Sequence, residues 1–333
     1  MNDLAYSGIN TTVRILEQQL LSKDVMNSLL ASKELHQALE VLQKTTYGFQ
    51  VDELLQTKQF DAVLMKHLKQ QYEELYELTP TPELLDIFSI RYTYHNLKVL
   101  LKEKFAKKDF SHLLVPIGRY SLATLKQLVE TRDSQDVPSV MVKAVREAYE
   151  DFENFERLET ADIFMDTYYF KHLRMLEREL QDDKVTEFIN LMIDLENIAT
   201  LIRASAQKQS RSFLQTVLSN EGTVSKTQLI DTFQELGWAS LLQLFDGVSY
   251  KEELESILSQ ENISVLKLEL LKDECIYRYL KDATFDAFGP YPSLAYIHAS
   301  EMEVKNIRLI LVGIDNGFSE EQLRERMRPV YGS

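Results

Sequence analysis

The sequence predicts an all-α fold of three pseudo-repeated helical bundles, and three observations predict it. Only 10 Gly and 7 Pro are spread over 333 residues, while Leu, Glu, Lys and Gln, all good helix formers, are abundant. Three long amphipathic stretches carry an amide in the middle of the apolar stripe, at Asn96, Asn197 and Asn306. Each stretch runs on to a glycine followed by Ser-x-x-x-Leu.

The N-terminal region reads as short helices: Asn10 precedes "VRILEQQLL", and Ser32 opens "SKELHQALEVL", with Leu35, Ala38, Leu39 and Leu42 on one face. In "LTPTPELL", Pro82 takes the first turn of a long helix after Thr81, where its missing N–H has no helical partner to lose. "TRDSQDVPS" and "FGPYPS" are loops by composition. Asp182 and Asp183 open the helix of Asn197; carboxylates there cap free N–H groups and favour the helix dipole.

The three asparagine helices agree in their neighbours. Twelve, nine and four residues before the amide stand Leu84, Val185 and Leu294, then Ile87, Phe188 and Ile297, then Tyr92, Ile193 and Met302. One, four and five after it stand Leu97, Ile198 and Ile307, then Leu100, Leu201 and Ile310, then Leu101, Ile202 and Leu311. Helical periodicity accounts for part of this agreement. It does not account for the joints "GRYSLATL", "GTVSKTQL" and "GFSEEQL". There glycine permits an open turn, serine caps a new helix and leucine enters the core. Ser225 with Gln228 and Ser319 with Gln322 have capping-box spacing.

The amides lie 101 residues apart (96 to 197) and then 109 (197 to 306). Familiar solenoid units run about 20–50 residues, so these copies are small bundles that could close into a ring. The expected boundaries are 1–110, 111–215 and 216–333, as parts of one body whose first and last segments complete each other.

A net charge of −15 disfavours nucleic acid or anionic lipid as the main partner. A lone cysteine, Cys275, excludes internal disulfides and reads as packing in a reducing compartment. The N-terminus does not read as a secretory signal, and no stretch approaches the roughly 18 apolar residues of a membrane span.

Chemistry is sparse. Neither GxxxxGK[ST] nor GxGxxG occurs. Six histidines, at 36, 67, 95, 112, 172 and 298, stand singly, outside HExxH or ExxH spacing. His298 reads as a hydrogen-bonded core histidine, and Trp238 as core. Paired Asp182 and Asp183 could hold magnesium and a diphosphate in an all-helical prenyl-transfer enzyme, but no second Asp-rich motif faces them, and helix capping is the stronger reading. Lys98 to Lys108 holds five lysines against one glutamate: a favourable helix C-terminus, or a patch for an acidic partner. No catalytic residue, cofactor or metal is expected.

"LLASKELHQALEVLQKTTYG", "DIFSIRYTYHNLKVLL", "FINLMIDLENIATLIRAS" and "YIHASEMEVKNIRLIL" together resemble the central-stalk component of vacuolar-type (V-type) and archaeal-type rotary ATPases, the C subunit in prokaryotes and the d subunit in eukaryotes. The resemblance runs over essentially the whole chain. It implies a pseudo-threefold funnel whose cavity receives the rotor shaft, built of D-type and F-type subunits, and which rests on the membrane proteolipid ring. It implies a peripheral position on the cytoplasmic side and a non-catalytic spacer that couples ATP turnover to proton or sodium movement. The alternative from another class is an unrelated helical scaffold. Within that picture the asparagines are expected to bond between helices and fix register. Lys102 and Arg203, six residues after their asparagines, are candidates to meet a partner or line the socket; Val312 breaks that pattern in the third copy.

Overall fold

A computed structural model describes residues 3–260, 263–281 and 288–331. Among the described residues every regular element is helical. Helices α1 (Ser7–Glu17), α2 (Lys23–Leu30), α3 (Leu35–Gln43), α4 (Val51–Thr57) and α5 (Phe60–Leu78) come first. The long α6 (Pro82–Ala106) carries Asn96 and is followed by α7 (Leu122–Thr131), α8 (Ser139–Phe155) and α9 (Glu159–Leu180). Asn197 lies on α10 (Asp183–Ala206), after which come α11 (Arg211–Val217), α12 (Lys226–Leu236), α13 (Trp238–Leu241), α14 (Lys251–Leu258) and α15 (Val265–Lys281). Asn306 lies on α16 (Tyr291–Asp315), and α17 (Glu320–Arg324) is a short last helix.

The chain divides into two compact units, residues 1–81 with 272–333, and residues 82–271. Segments from both ends of the chain lie in the first of these units. At its centre lies α16, against which α1, α3 and α5 pack. Every residue of α16 from Tyr291 to Val304 is buried, as expected of a helix covered on all faces. The buried stretch includes polar groups that the surrounding helices must satisfy. Tyr72 on α5 donates its hydroxyl proton to Glu301 at 2.7 Å, and Gln71 donates to the Tyr296 hydroxyl at 2.9 Å. In the second unit, α9 packs against α6 and α8, and Phe88 meets Phe188 edge-on at 5.4 Å.

The predicted helix starts mostly hold. Pro82 opens α6, and Asp182 caps α10 by accepting from the N–H groups of Lys184 and Val185 at 3.0 and 3.3 Å. Ser121, Ser225 and Ser319 each accept the N–H three residues on. Only Ser319 with Gln322 completes the reciprocal box; at the middle joint the Ser225 hydroxyl instead donates to Gln228 Oε1.

Four local expectations are corrected. "FGPYPS" is only half a loop, because α16 begins at Tyr291 with Pro292 in its first turn, where proline is tolerated. Asn10 lies inside α1 rather than before it, buried and donating to the Gly289 carbonyl at 3.0 Å. Ser32 does not open α3, since its hydroxyl bonds back to Ser28 and the helix starts at Leu35. Trp238 is half-buried, resting on Phe233 with ring centroids 4.2 Å apart.

Candidate functional site: three asparagine clasps

Each of the three asparagines holds one residue of the backbone that returns past its own helix. Asn96 Nδ2 donates to the Val115 carbonyl at 2.7 Å, and Asn96 Oδ1 accepts the Val115 N–H at 2.8 Å. Asn197 does the same to Ser219 at 3.0 and 2.9 Å. Asn306 does so to Arg328 at 3.1 and 2.9 Å. A primary amide has a donor and an acceptor side by side and can pair with both main-chain groups of one residue. The expectation that these amides bond from helix to helix and set register is thus replaced. They clasp an irregular return segment, pairing with both main-chain groups of a residue that is buried at Ser219 and part-buried at Val115 and Arg328. All three are essentially inaccessible.

The clasps also revise the alignment of the joints. In the first two, the order is asparagine helix, a short helical piece, clasped residue, glycine, serine, capped helix. The short pieces are a 3-10 turn at Ser111–Leu113 and α11. In the third, Gly317, Ser319 and α17 come before the clasped Arg328. So α17 stands in the place of the 3-10 turn and α11, and "GFSEEQL" is not the counterpart of "GRYSLATL" and "GTVSKTQL". The glycines differ accordingly. Gly118 and Gly317 have left-handed φ of +116 and +75. Gly222 does not, and is required for space, because a Cβ there would sit 2.4 Å from Asp194 Oδ1.

Three residues before each asparagine lies a buried polar side chain: Thr93, Asp194 and Glu303. Asp194 accepts the Thr223 N–H at 2.8 Å and the Thr223 hydroxyl. Burial raises its pKa, and the Thr223 bonds oppose that. Arg174 on α9 fastens the same loop, donating to the Glu221 carbonyl at 2.7 Å and to Asn190 at 2.6 Å. Glu303 accepts the Leu21 N–H and, at 2.9 Å, the Tyr47 hydroxyl. Its burial pushes the carboxyl up to about 7, against the pull of those two donors. Arg328 is held twice, since its Nε also donates to Asp273 Oδ2 at 2.9 Å while Lys305 binds Oδ1 at 2.9 Å. Burial disfavours the Asp273 carboxylate, but Lys305 and Arg328 outweigh it and hold its pKa below the usual value.

The remaining singled-out residues have plain surroundings. Lys102 pairs with Asp162 at 2.7 Å, and Arg203 with Glu196 at 2.7 Å and Glu269 at 3.2 Å. Both remain partly exposed. In the lysine run, Lys98 pairs with Asp166 at 2.7 Å and Lys104 with Glu130 at 2.6 Å, so much of its charge is matched within the chain. Asp182 is occupied as a helix cap. Cys275 and His298 are buried. His172 is also buried, which lowers its pKa to about 4, and its Nδ1 lies 3.3 Å from the Tyr94 hydroxyl. Glu303, Asp194 and Asp273 were not singled out from the sequence. For the first two the signal was present, an acid inside an apolar stripe at a fixed step from the amide.

Residues 9–326 match the family described as ATP synthase (C/AC39) subunit. The chain is 35% identical over 334 residues to the C subunit of the V-type sodium ATPase of Enterococcus hirae, with 98% of this chain and 99% of that protein covered. It is 25% identical to the C subunit of the A-type ATP synthase of Methanocaldococcus jannaschii, with 97% and 86% covered. With the C subunit of the A-type ATP synthase of Pyrococcus abyssi the identity is 23%, with 96% and 89% covered.

Proposed function

Because this chain belongs to the ATP synthase (C/AC39) subunit family, we propose that it is the central-stalk spacer of a rotary ATPase. It receives the tip of the D-type and F-type rotor shaft and rests on the membrane proteolipid ring. It has no active site of its own and passes torque between the two. The observation that carries this reading is the near end-to-end match to the Enterococcus hirae protein. It sits peripherally on the ring, on the cytoplasmic side; no described helix is long and apolar enough to cross a membrane.

The three clasps support the reading of three related helical parts. Each clasp joins a long helix to its return segment through the same pair of hydrogen bonds. The third part draws on both ends of the chain, since α16 packs against α1, α3 and α5. A torque-bearing joint needs stiffness, which close helix packing and fully bonded loops supply, and it needs no reactive group. Lys102 and Arg203 lie at matching steps on α6 and α10 and reach the surface, where a shaft carboxylate could exchange with Asp162 or Glu196.

Reconstitution tests the reading. The purified chain is mixed with shaft subunits and, separately, with detergent-solubilised proteolipid ring. Co-elution with both is expected, and binding to neither would overturn the assignment.

A further inference from the structure

A groove runs along α8 and α9 within the second unit. Its main part has a volume of about 800 Å3, and it passes Ser139 and Met175 into a second hollow of about 450 Å3. The floor is apolar: Val142 and Tyr168 are buried, and Val140 and Met175 lie beside them. Both rims are basic, with Lys143 and Arg146 on α8 and Lys171 and Arg178 on α9. Asp133 and Glu221 also line the main part; Asp133 pairs with Arg146 at 3.0 Å, and Glu147 on α8 pairs with Lys143 at 3.7 Å, which leaves Lys171 and Arg178 on α9 as the cations facing the groove without an ion pair among the described contacts. In a protein of net charge −15, this local excess of cations stands out. The second hollow has the opposite character. There Glu83, Asp86, Asp136 and Glu179 surround Arg119, which already pairs with Glu83 at 2.8 Å and Asp86 at 3.2 Å.

We propose that this groove is a docking surface for one acidic amphipathic helix of a partner protein. Lys171 and Arg178 stand seven residues apart, two helical turns or roughly 10 Å, so they match carboxylates at i and i+7 on an occupying helix. A narrow apolar edge of that helix lies on Val140 and Met175, as in other helix-in-groove pairings. The charge reversal along the groove sets direction. The positive end of the occupant's dipole, its N-terminus, points at the acidic hollow, and its acid-rich body lies between the basic rims. The proposal does not rest on the spacer reading, since it requires neither shaft nor ring.

The test uses the full chain and a fluorescein-labelled helical peptide of about 20 residues, with glutamates on both edges of a leucine and alanine stripe. Fluorescence anisotropy is expected to show saturable binding that weakens as salt rises. The control is a peptide of the same composition with its helical periodicity scrambled, expected to bind at least about tenfold more weakly. The double variant K143E/K171E is expected to lose at least about tenfold in affinity. Lys143 is 67% exposed, so its reversal is compatible with folding, and unchanged circular dichroism and Tm would verify this. Should the double variant misfold, K143E alone with about threefold loss carries the same expectation. Absence of saturable binding, equal binding of the scrambled peptide, or equal binding by a folded charge-reversal variant would each overturn the proposal. The reconstitution with shaft and ring is scored separately, so the two readings can fail independently.

Discussion

The Asn197 and Asn306 clasps are the same device closed in two ways. The partners of Asn197 and Asp194 are near in sequence: Ser219 and Thr223 lie in one loop downstream of α10. Around Asn306 the neighbouring carboxylate, Glu303, is satisfied by Leu21 and Tyr47, 282 and 256 residues away in sequence. Local closure completes a joint with little chain entropy to overcome. Distant closure forms only when the two ends of the chain are already together, and it carries the larger loop-closing cost. The distant joint also retains the less comfortable acid. Loop donors offset part of the burial of Asp194, whereas Glu303 remains at about 7.

The largest expected effect comes from removing the amides. Asn197→Leu leaves the N–H and C=O of Ser219 without their partner in a buried place, at about 1–3 kcal/mol for each unpaired group. A loss of about 2–4 kcal/mol in urea unfolding is expected. Asn306→Leu should cost less, because Arg328 keeps its side-chain hold on Asp273. Adding Asp273→Asn to Asn306→Leu should then cost more than the two single losses combined. Equal losses at 197 and 306, or strict additivity, would show that the second anchor carries no weight.

The next effect is a pH dependence at the distant joint. In the unfolded chain Glu303 has an ordinary pKa near 4.5, and in the folded protein it is about 7. Below about pH 4.5 the group is protonated in both states and its burial carries no charge penalty. Between the two values the folded state binds more protons, so this contribution to stability declines as pH rises, and it is fully lost above about pH 7. The whole span is at most roughly 3 kcal/mol. Glu303→Gln should therefore gain stability relative to the native chain as pH rises from 5 to 8. A parallel pair of stability curves for the two proteins over that interval would sink the expectation.

A smaller effect probes the local joint. Gly222→Ala places a methyl against Asp194 Oδ1 and 3.3 Å from Asn197 Nδ2, an overpacking worth about 1–3 kcal/mol. Asp194→Ala should relieve it, so the double variant should lose less than the sum of its parts. Gly317→Ala meets no atom and tests a left-handed backbone instead. It should cost about 1 kcal/mol, with no coupling to Glu303.

What the sequence made legible follows the range of the interaction. The all-helical class, the start at Pro82, the Asp182 cap and the three serine caps depend on residues a few positions apart, and pattern reading found them. The burial of the three asparagines was equally readable from their apolar neighbours. Their partners were not, because an amide can bind a helix, a side chain or a loop, and only the fold decides. "GFSEEQL" misled for a related reason: a Gly-Ser cap marks the start of some helix without saying which one. Trp238 was read as core from its residue type, yet it opens the four-residue α13 behind Gly237, too short an element to cover an indole. Asp194 and Glu303 went unread because an acid within an apolar stripe looks like an interruption until its distant donors are known.

The smallest effect on stability is expected at Lys102 and Arg203, where it also sharpens the contrast between the clasps. Their ion pairs lie at the surface, with the basic side chains 36% and 43% exposed, and such pairs contribute about 0–1 kcal/mol. Lys102→Ala and Arg203→Ala should shift Tm by no more than a few degrees. The third clasp has Val312 at this step, 43% exposed, so it has no comparable charge to lose. If α6 and α10 present these cations to an acidic shaft, the double charge reversal Lys102→Glu with Arg203→Glu should weaken shaft binding about tenfold or more, with added salt narrowing the gap. Val312→Glu should do so much less. Unchanged shaft affinity in the double variant would leave Lys102 and Arg203 as surface pairs to Asp162, Glu196 and Glu269, and any functional asymmetry would then lie in the clasps alone.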